Sequence, residues 1–197
     1  MENETLRRIF RLLNKCFMVP AYRMGLGSLI SNPISGYILV IKTTGRKTGR
    51  VRYAPVNYAV MDGSVYCLAG WGTRADWYRN VLAHPHLEVI LPAAAIAGVA
   101  EEVIDPQEAL QGTRQILKNA GFAGFLLGLN PFTASDDELR LKCQGIPVLR
   151  IRPTGIGNGP ADPGGWLWVL LTVLSGAWLA GVLAKRRRTK DIRPPSV

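Results

Sequence analysis

The chain has 197 residues and a net charge of +10, a length that suits one globular domain with extensions and buries a core without disulfides. Its three cysteines, Cys16, Cys67 and Cys143, are far apart and lack a Cys-x-x-Cys spacing, which points to a reducing compartment and buried thiols rather than a disulfide framework. Residues 53–184 sum to −3, whereas residues 1–24, residues 42–52 and the tail from Lys185 carry +3, +5 and +5, so the basic pI marks three separate devices and does not by itself argue for nucleic acid.

Residues 4–18 read as an amphipathic helix. Leu6, Ile9, Phe10, Leu13, Cys16 and Phe17 share one face, and Arg7, Arg8, Arg11 and Lys15 the other. Charges interrupt the apolar residues, so this is no secretory signal. Two readings stay open: a helix packed on the domain with its basic residues in water, and a helix lying in an anionic membrane surface. Residues 1–36 form this helix and a linker.

From Tyr37 the pattern becomes that of strands. The expected order is a strand over 37–43, a basic turn, a strand over 52–61, an Asp62-Gly63 hairpin turn and a strand over 64–70. Asp76 reads as the N-cap of a short helix, Trp77 to Ala83, which His84-Pro85 ends. Strands over 87–91 and 95–104 follow. Asp105-Pro106 then starts a helix to about Asn119, with a short helix over 136–143 and a last strand over 146–151. Hairpin signals outnumber strand–helix–strand units, which predicts an α+β fold, a small antiparallel barrel with helices at its margins, over 37–152.

Residues 153–165 read as a Pro/Gly linker. Trp166 to Ala184 is a run of 19 uncharged residues closed by Lys185-Arg186-Arg187-Arg188. Its length of about 28 Å matches one bilayer core, and Trp166 and Trp168 sit where interfacial aromatics would. A single C-terminal transmembrane helix over 166–184 is therefore expected, with a basic tail over 185–197. The chain is then a cell-membrane protein. The basic tail argues for a cytoplasmic C-terminus, yet nothing at the N-terminus would export the barrel, and the free thiols favour a cytoplasmic domain.

Few side chains suit acid–base or metal chemistry. His84 and His86 flank Pro85 and form neither a zinc set nor a Ser-His-Asp arrangement. The groups Glu101-Glu102-Asp105-Glu108 and Asp136-Asp137-Glu138 read as solvated strand ends and helix N-termini. No catalytic side chain and no metal ligand is expected. The informative segment is Thr43-Thr44-Gly45-Arg46-Lys47-Thr48-Gly49-Arg50-Val51-Arg52, whose N–H groups, hydroxyls and cations could hold a phosphate. It has neither the Walker spacing nor the helix that follows a dinucleotide fingerprint. A second segment, Ala69-Gly70-Trp71-Gly72, exposes backbone that a flat ring could approach. Aromatics are not interleaved with the basic residues as stacking platforms, so nucleic acid is not an expected partner.

Thr-Thr-Gly-Arg-Lys-Thr-Gly (43–49) with Arg52 and Pro55, Asp-Gly (62–63), Trp-Tyr-x-Asn (77–80) and His-Pro (84–85) together resemble the deazaflavin-dependent nitroreductase family over residues 37–152. The resemblance implies a split β-barrel and hydride transfer from reduced coenzyme F420 to nitro compounds, quinones and related acceptors. It places Arg46, Lys47, Thr48, Gly49 and Arg52 around the cofactor's phosphate and acidic tail. Pro55 and Ala69 fall near the ring, and Trp77 and Asn80 on the helix that closes over it. The loop Gly70 to Ala75 lacks that family's Ser-Lys-Gly run, and Phe122, Phe125, Leu126 and Phe132 stand where a tyrosine-rich substrate segment would be. That departure favours a greasier acceptor, such as a quinone drawn from a bilayer. Split barrels also take FMN and haem. FMN stays open as the alternative cofactor, and a non-catalytic flavin-, haem- or lipid-binding module at the membrane as the alternative function. A homodimer is a further possible assembly.

Overall fold

β-Branched and apolar residues alternate along Ile38–Thr44 (β1), so Leu39 and Ile41 point to one side and Val40 to the other, and all three are buried. In the computed structural model, which describes residues 2–126, 128–160 and 166–190, the reason for this two-sided burial is visible. Leu39 and Ile41 fill a barrel together with Cys67, Val89, Leu149 and Ile151. Val40 packs outside it, under Tyr22 and Ile90.

The remaining strands are β2 (Val51–Met61), β3 (Ser64–Leu68), β4 (His86–Ile90), β5 (Ala95–Glu102) and β6 (Val148–Ile156). They close in the order β1-β2-β3-β6-β5-β4, antiparallel throughout, and β1 pairs with β4 through Ile41 and Val89 to leave no open edge. The β2–β3 hairpin turns on Asp62 and Gly63, both at positive φ. β5 shifts register between Ala97 and Gly98. A Cβ on Gly98 would lie 2.7 Å from Ile151 Cγ2 and 2.9 Å from the Arg152 carbonyl, so only glycine lets β5 approach β6 there. The expected antiparallel barrel with helices at its margins is what forms.

The helices cover the barrel. α1 (Glu2–Leu13) runs through a π-helical turn, Asn14–Met18, into α2 (Val19–Arg23), and the short α3 (Gly27–Ile30) follows. α2 lays Tyr22 over β1, where its hydroxyl donates to the Ile38 carbonyl. α4 (Asp76–Ala83) caps one end of the barrel. Asp76 is not its N-cap: Ala75 holds that position with no side-chain cap, and Asp76, the first residue of the helix, pairs with Arg46. α5 (Pro106–Asn119) is capped by Asp105, whose carboxylate accepts from Glu108 N at 3.0 Å. It is fastened by Arg150, which pairs with Glu108 at 2.7 Å and with Glu101. α6 is Asp136–Lys142. The acidic groups at 101–108 and 136–138 are thus structural: they cap helices, pair with arginines and, at Glu102, accept from the Tyr78 hydroxyl at 2.6 Å.

β6 extends to Ile156, so the Pro/Gly segment begins as strand. Gly159 is then pinned to the barrel. Lys42 Nζ donates to Glu88 Oε1 at 2.9 Å and to the Gly159 carbonyl at 2.8 Å, while Gly159 N donates to Glu88 Oε2 at 3.0 Å. The apolar run forms helix α7 (Trp166–Lys190), which touches α2. The described residues do not support the transmembrane expectation. Among the described residues no helix is long and apolar enough to cross a membrane. The side chains of Trp166, Trp168 and Arg186–Arg188, on which that reading leaned, lie outside the described residues. Those that are described, Val169 to Lys185, are nearly all solvent-exposed.

Candidate functional site

The basic segment forms a six-residue connection between Thr44 and Val51, the last paired residues of β1 and β2. It is held by its own backbone. Gly45 N donates to the Arg50 carbonyl at 2.8 Å, and Gly49 N donates back to the Gly45 carbonyl at 2.8 Å. Gly49 sits at φ +65°, which an L side chain resists. This coil leaves Lys47, Thr48 and Arg52 exposed, and among the described residues neither Lys47 nor Arg52 is in an ion pair.

Arg46 behaves differently. Its backbone N and its guanidinium both donate to Asn80 Oδ1, at 3.2 and 3.0 Å, and its guanidinium pairs with Asp76 Oδ1 at 3.0 Å. Asn80 is buried on α4. The turn and the helix are therefore stapled together, and the wall between them is preset.

Beside this staple lies a cavity of about 890 Å3, within the range of roughly 300–1,000 Å3 that holds small ligands and cofactors. Of the residues singled out from sequence, Arg46, Lys47, Thr48, Arg52, Pro55, Trp71, Trp77 and Asn80 line it. Gly49, Ala69, Gly70 and Gly72 do not. Ala69 is wholly buried in the barrel core, where its N–H donates to the Pro147 carbonyl at 2.9 Å. Gly70 and Gly72 shape the turn that presents Trp71, with Gly72 at φ +62°. Phe122, Phe125, Leu126 and Phe132 are all about half exposed, and none reaches the cavity.

The opposite wall was not legible in the sequence. It is built from the N-terminal elements: Phe10, Arg11, Asn14, Lys15, Val19, Pro20 and Arg23. Arg23 also lies over the Tyr53 ring, 5.0 Å from its centroid, which ties α2 to β2. Among the described lining residues Asp76 is the one carboxylate, and Arg46 occupies it. The cavity is thus strongly cationic, with indole and proline surface at one side. That donor set suits a ligand with a flat ring and an anionic arm.

A family model for F420H(2)-dependent quinone reductases matches residues 17–125. The chain belongs to this family. Its cofactor is coenzyme F420, and the protein is an F420-dependent oxidoreductase. The residues present fit that group, because Lys47 and Arg52, in no ion pair among the described residues, match a phosphate together with the Thr48 hydroxyl, and Trp71, Trp77 and Pro55 offer flat apolar surface. No curated protein matches the chain. Among solved structures, an F420-H2 dependent reductase named FDR-A is 24% identical, covering 58% of this chain and 93% of its own, with a TM-score of 0.41. The protein Rv2991 from Mycobacterium tuberculosis is 16% identical, over 61% and 74%, at 0.45. HutZ, a haem storage protein from Vibrio cholerae, is 15% identical, over 69% and 87%, at 0.43.

Proposed function

We propose that this F420-dependent reductase passes hydride to a lipophilic quinone at the cytoplasmic face of a membrane. Lys47, Thr48 and Arg52 hold the phosphate end of the cofactor, with Gly49 setting the coil that presents them. Trp71, Trp77 and Pro55 flank its ring, while Arg46 and Asn80 keep the turn and α4 in register. The observation that carries this reading is the juxtaposition, around one cavity, of that cationic coil with an N-terminal segment on which Phe10 lines the cavity while Ile9, Leu12, Leu13 and Phe17 are exposed.

Reduced F420 supplies the hydride. The chain's task is to hold donor and acceptor at about 3–3.5 Å and to keep water from the transfer. Reduction of a quinone to a quinol also takes up a proton. With Asp76 committed to Arg46, solvent at the cavity mouth delivers it. Ile9, Leu12, Leu13 and Phe17 on the N-terminal wall, and the exposed leucines, valines and Trp178 of α7, give surfaces that a bilayer would cover. α7 serves as the anchor. A second copy of the chain could cover the same faces, and the mass in detergent separates the two cases.

The test is spectroscopic. The purified protein should quench F420 fluorescence on titration and reoxidise reduced F420 when a lipid-soluble naphthoquinone is added, faster with the quinone in vesicles than in buffer. Copurified FMN or haem, with no F420 binding, would refute the reading. Nitroaromatic acceptors should turn over more slowly than the quinone, and the opposite order would move the substrate class to nitro compounds.

A further inference from the structure

The sequence carries no charged residue from Met24 to Ile41, and none from Asn119 to Ser135. The fold brings these two stretches together, backbone against backbone. Tyr37 N donates to the Asn119 carbonyl at 2.7 Å, and Phe122 N donates to the Ile34 carbonyl at 3.1 Å. Glycine makes the approach possible. A Cβ on Gly36 would lie 2.6 Å from the Ala120 carbonyl carbon, and one on Gly121 would collide with the Ile34 carbonyl. Gly124 in turn lies against the Leu117 carbonyl and the Pro131 ring. With the backbones in contact, no space is left between them for large side chains. Leu29, Ile34, Phe122, Phe125, Leu126 and Phe132 are turned out instead, each between 48% and 82% exposed. At about 150–250 Å2 for a whole large side chain, they present roughly 700 Å2 of apolar surface. That exceeds the few hundred Å2 that a monomer ordinarily shows to water.

We propose that this uncharged face, built from the α3–β1 connection and the turn after α5, inserts into the interfacial region of an anionic bilayer. Charge at its border selects that occupant. Lys118 in the last turn of α5 and Lys142 beside Gly128 are in no ion pair among the described residues. The nearby Asp136 and Asp137 are matched by Arg114 and Arg140, which leaves two lysines against Glu138. Two copies of a chain with net charge +10, joined through this face, would bring their lysines together, whereas acidic headgroups neutralise them. The face also continues from α2 through α3, and α2 is the element that α7 touches. The inference rests on the membrane reading above and deepens it: α7 tethers the chain, and this face sets which way the barrel meets the bilayer.

The experiment uses the full chain with Cys16→Ser and Cys143→Ser, since Cys67 is wholly buried, and an environment-sensitive dye on Phe125→Cys. Vesicles are phosphatidylcholine alone or with phosphatidylglycerol. The dye emission should shift to the blue on the mixed vesicles and be quenched by spin-labelled lipid. The same dye on Ile104→Cys, 90% exposed and at the other end of α5, about 20 Å away, should stay in water. Lys118→Gln with Lys142→Gln should lower the ratio of inserted to free dye by about fivefold for each lysine on the mixed vesicles, and leave it unchanged on phosphatidylcholine. A chain that sediments with vesicles while the dye at position 125 stays in water would overturn the proposal and leave the membrane reading standing. A chain that does not sediment with vesicles would end the membrane reading itself. A blue shift without vesicles that grows with protein concentration would give the face to a second copy and overturn the proposal. F420 binding by each labelled variant checks that the barrel is folded.

Discussion

Arg46 and Lys47 are neighbours in the sequence and do different work. Arg46 donates through both its backbone and its guanidinium to Asn80 and pairs with Asp76. Lys47 is exposed and lines the cavity with no ion pair among the described residues. The side chain that sequence alone would place on the phosphate is therefore largely spent on architecture. Asn80→Ala should leave two Arg46 donors without their acceptor beside a buried position, at a cost of about 1–3 kcal/mol. A lower urea midpoint with an unchanged slope would register it. Lys47→Ala should leave stability within about 0.5 kcal/mol and weaken F420 binding, with a shallower salt dependence. A Lys47→Ala chain that binds F420 as the wild type does would remove Lys47 from the phosphate site.

At the scale of elements, α2 decides how the N-terminal wall meets the barrel. Met18, Val19, Pro20, Ala21 and Tyr22 are all buried, which fixes the wall even though the apolar face of α1 is not packed. Burial pushes the Tyr22 hydroxyl up to about 12, with a contact to Ser31 acting weakly the other way. The group is neutral in both the folded and the unfolded chain below pH 10. Above the unfolded value of 10.0 the unfolded chain loses its proton first. The contribution of Tyr22 to folding stability is thus intact below pH 10 and falls as pH rises towards 12. Tyr22→Phe should remove its own share of the alkaline slope, with Tyr58, Tyr66, Tyr78 and the buried Cys67 thiol supplying the rest, and lose the hydrogen bond to the Ile38 carbonyl, worth about 1 kcal/mol. Denaturant midpoints measured across this pH window, for wild type and variant, check both parts.

At the scale of the whole molecule, barrel closure and the terminal segments are separable. The Lys42–Glu88–Gly159 clamp ends the part of the chain that the barrel holds. A chain stopped after Pro160 keeps that clamp and all six strands. It should melt within a few degrees of the full protein and bind F420 equally well, while losing most of its partition into vesicles. Loss of the folded barrel on this truncation would mean that α7 is part of the core. By itself the sequence determined the alternation of the strands, the Asp62-Gly63 hairpin, the Asp105 cap and the cationic coil, because each depends on side chains within a few residues of one another. Eight of the twelve residues singled out for the site do line the cavity, since they flank two adjacent loops at one end of the barrel. Ala69 falls in the core and the phenylalanines of 122–132 face water, because which side of a loop meets a cavity depends on how distant strands pack. Only the tertiary structure assigned Arg46 to Asp76 and Asn80, some thirty residues away, and only it brought the exposed Arg11 and Lys15 to the wall of the cavity. Helical periodicity separates a basic face from an apolar one, but it cannot say which of the two faces the protein. That choice belongs to the neighbours across the cavity.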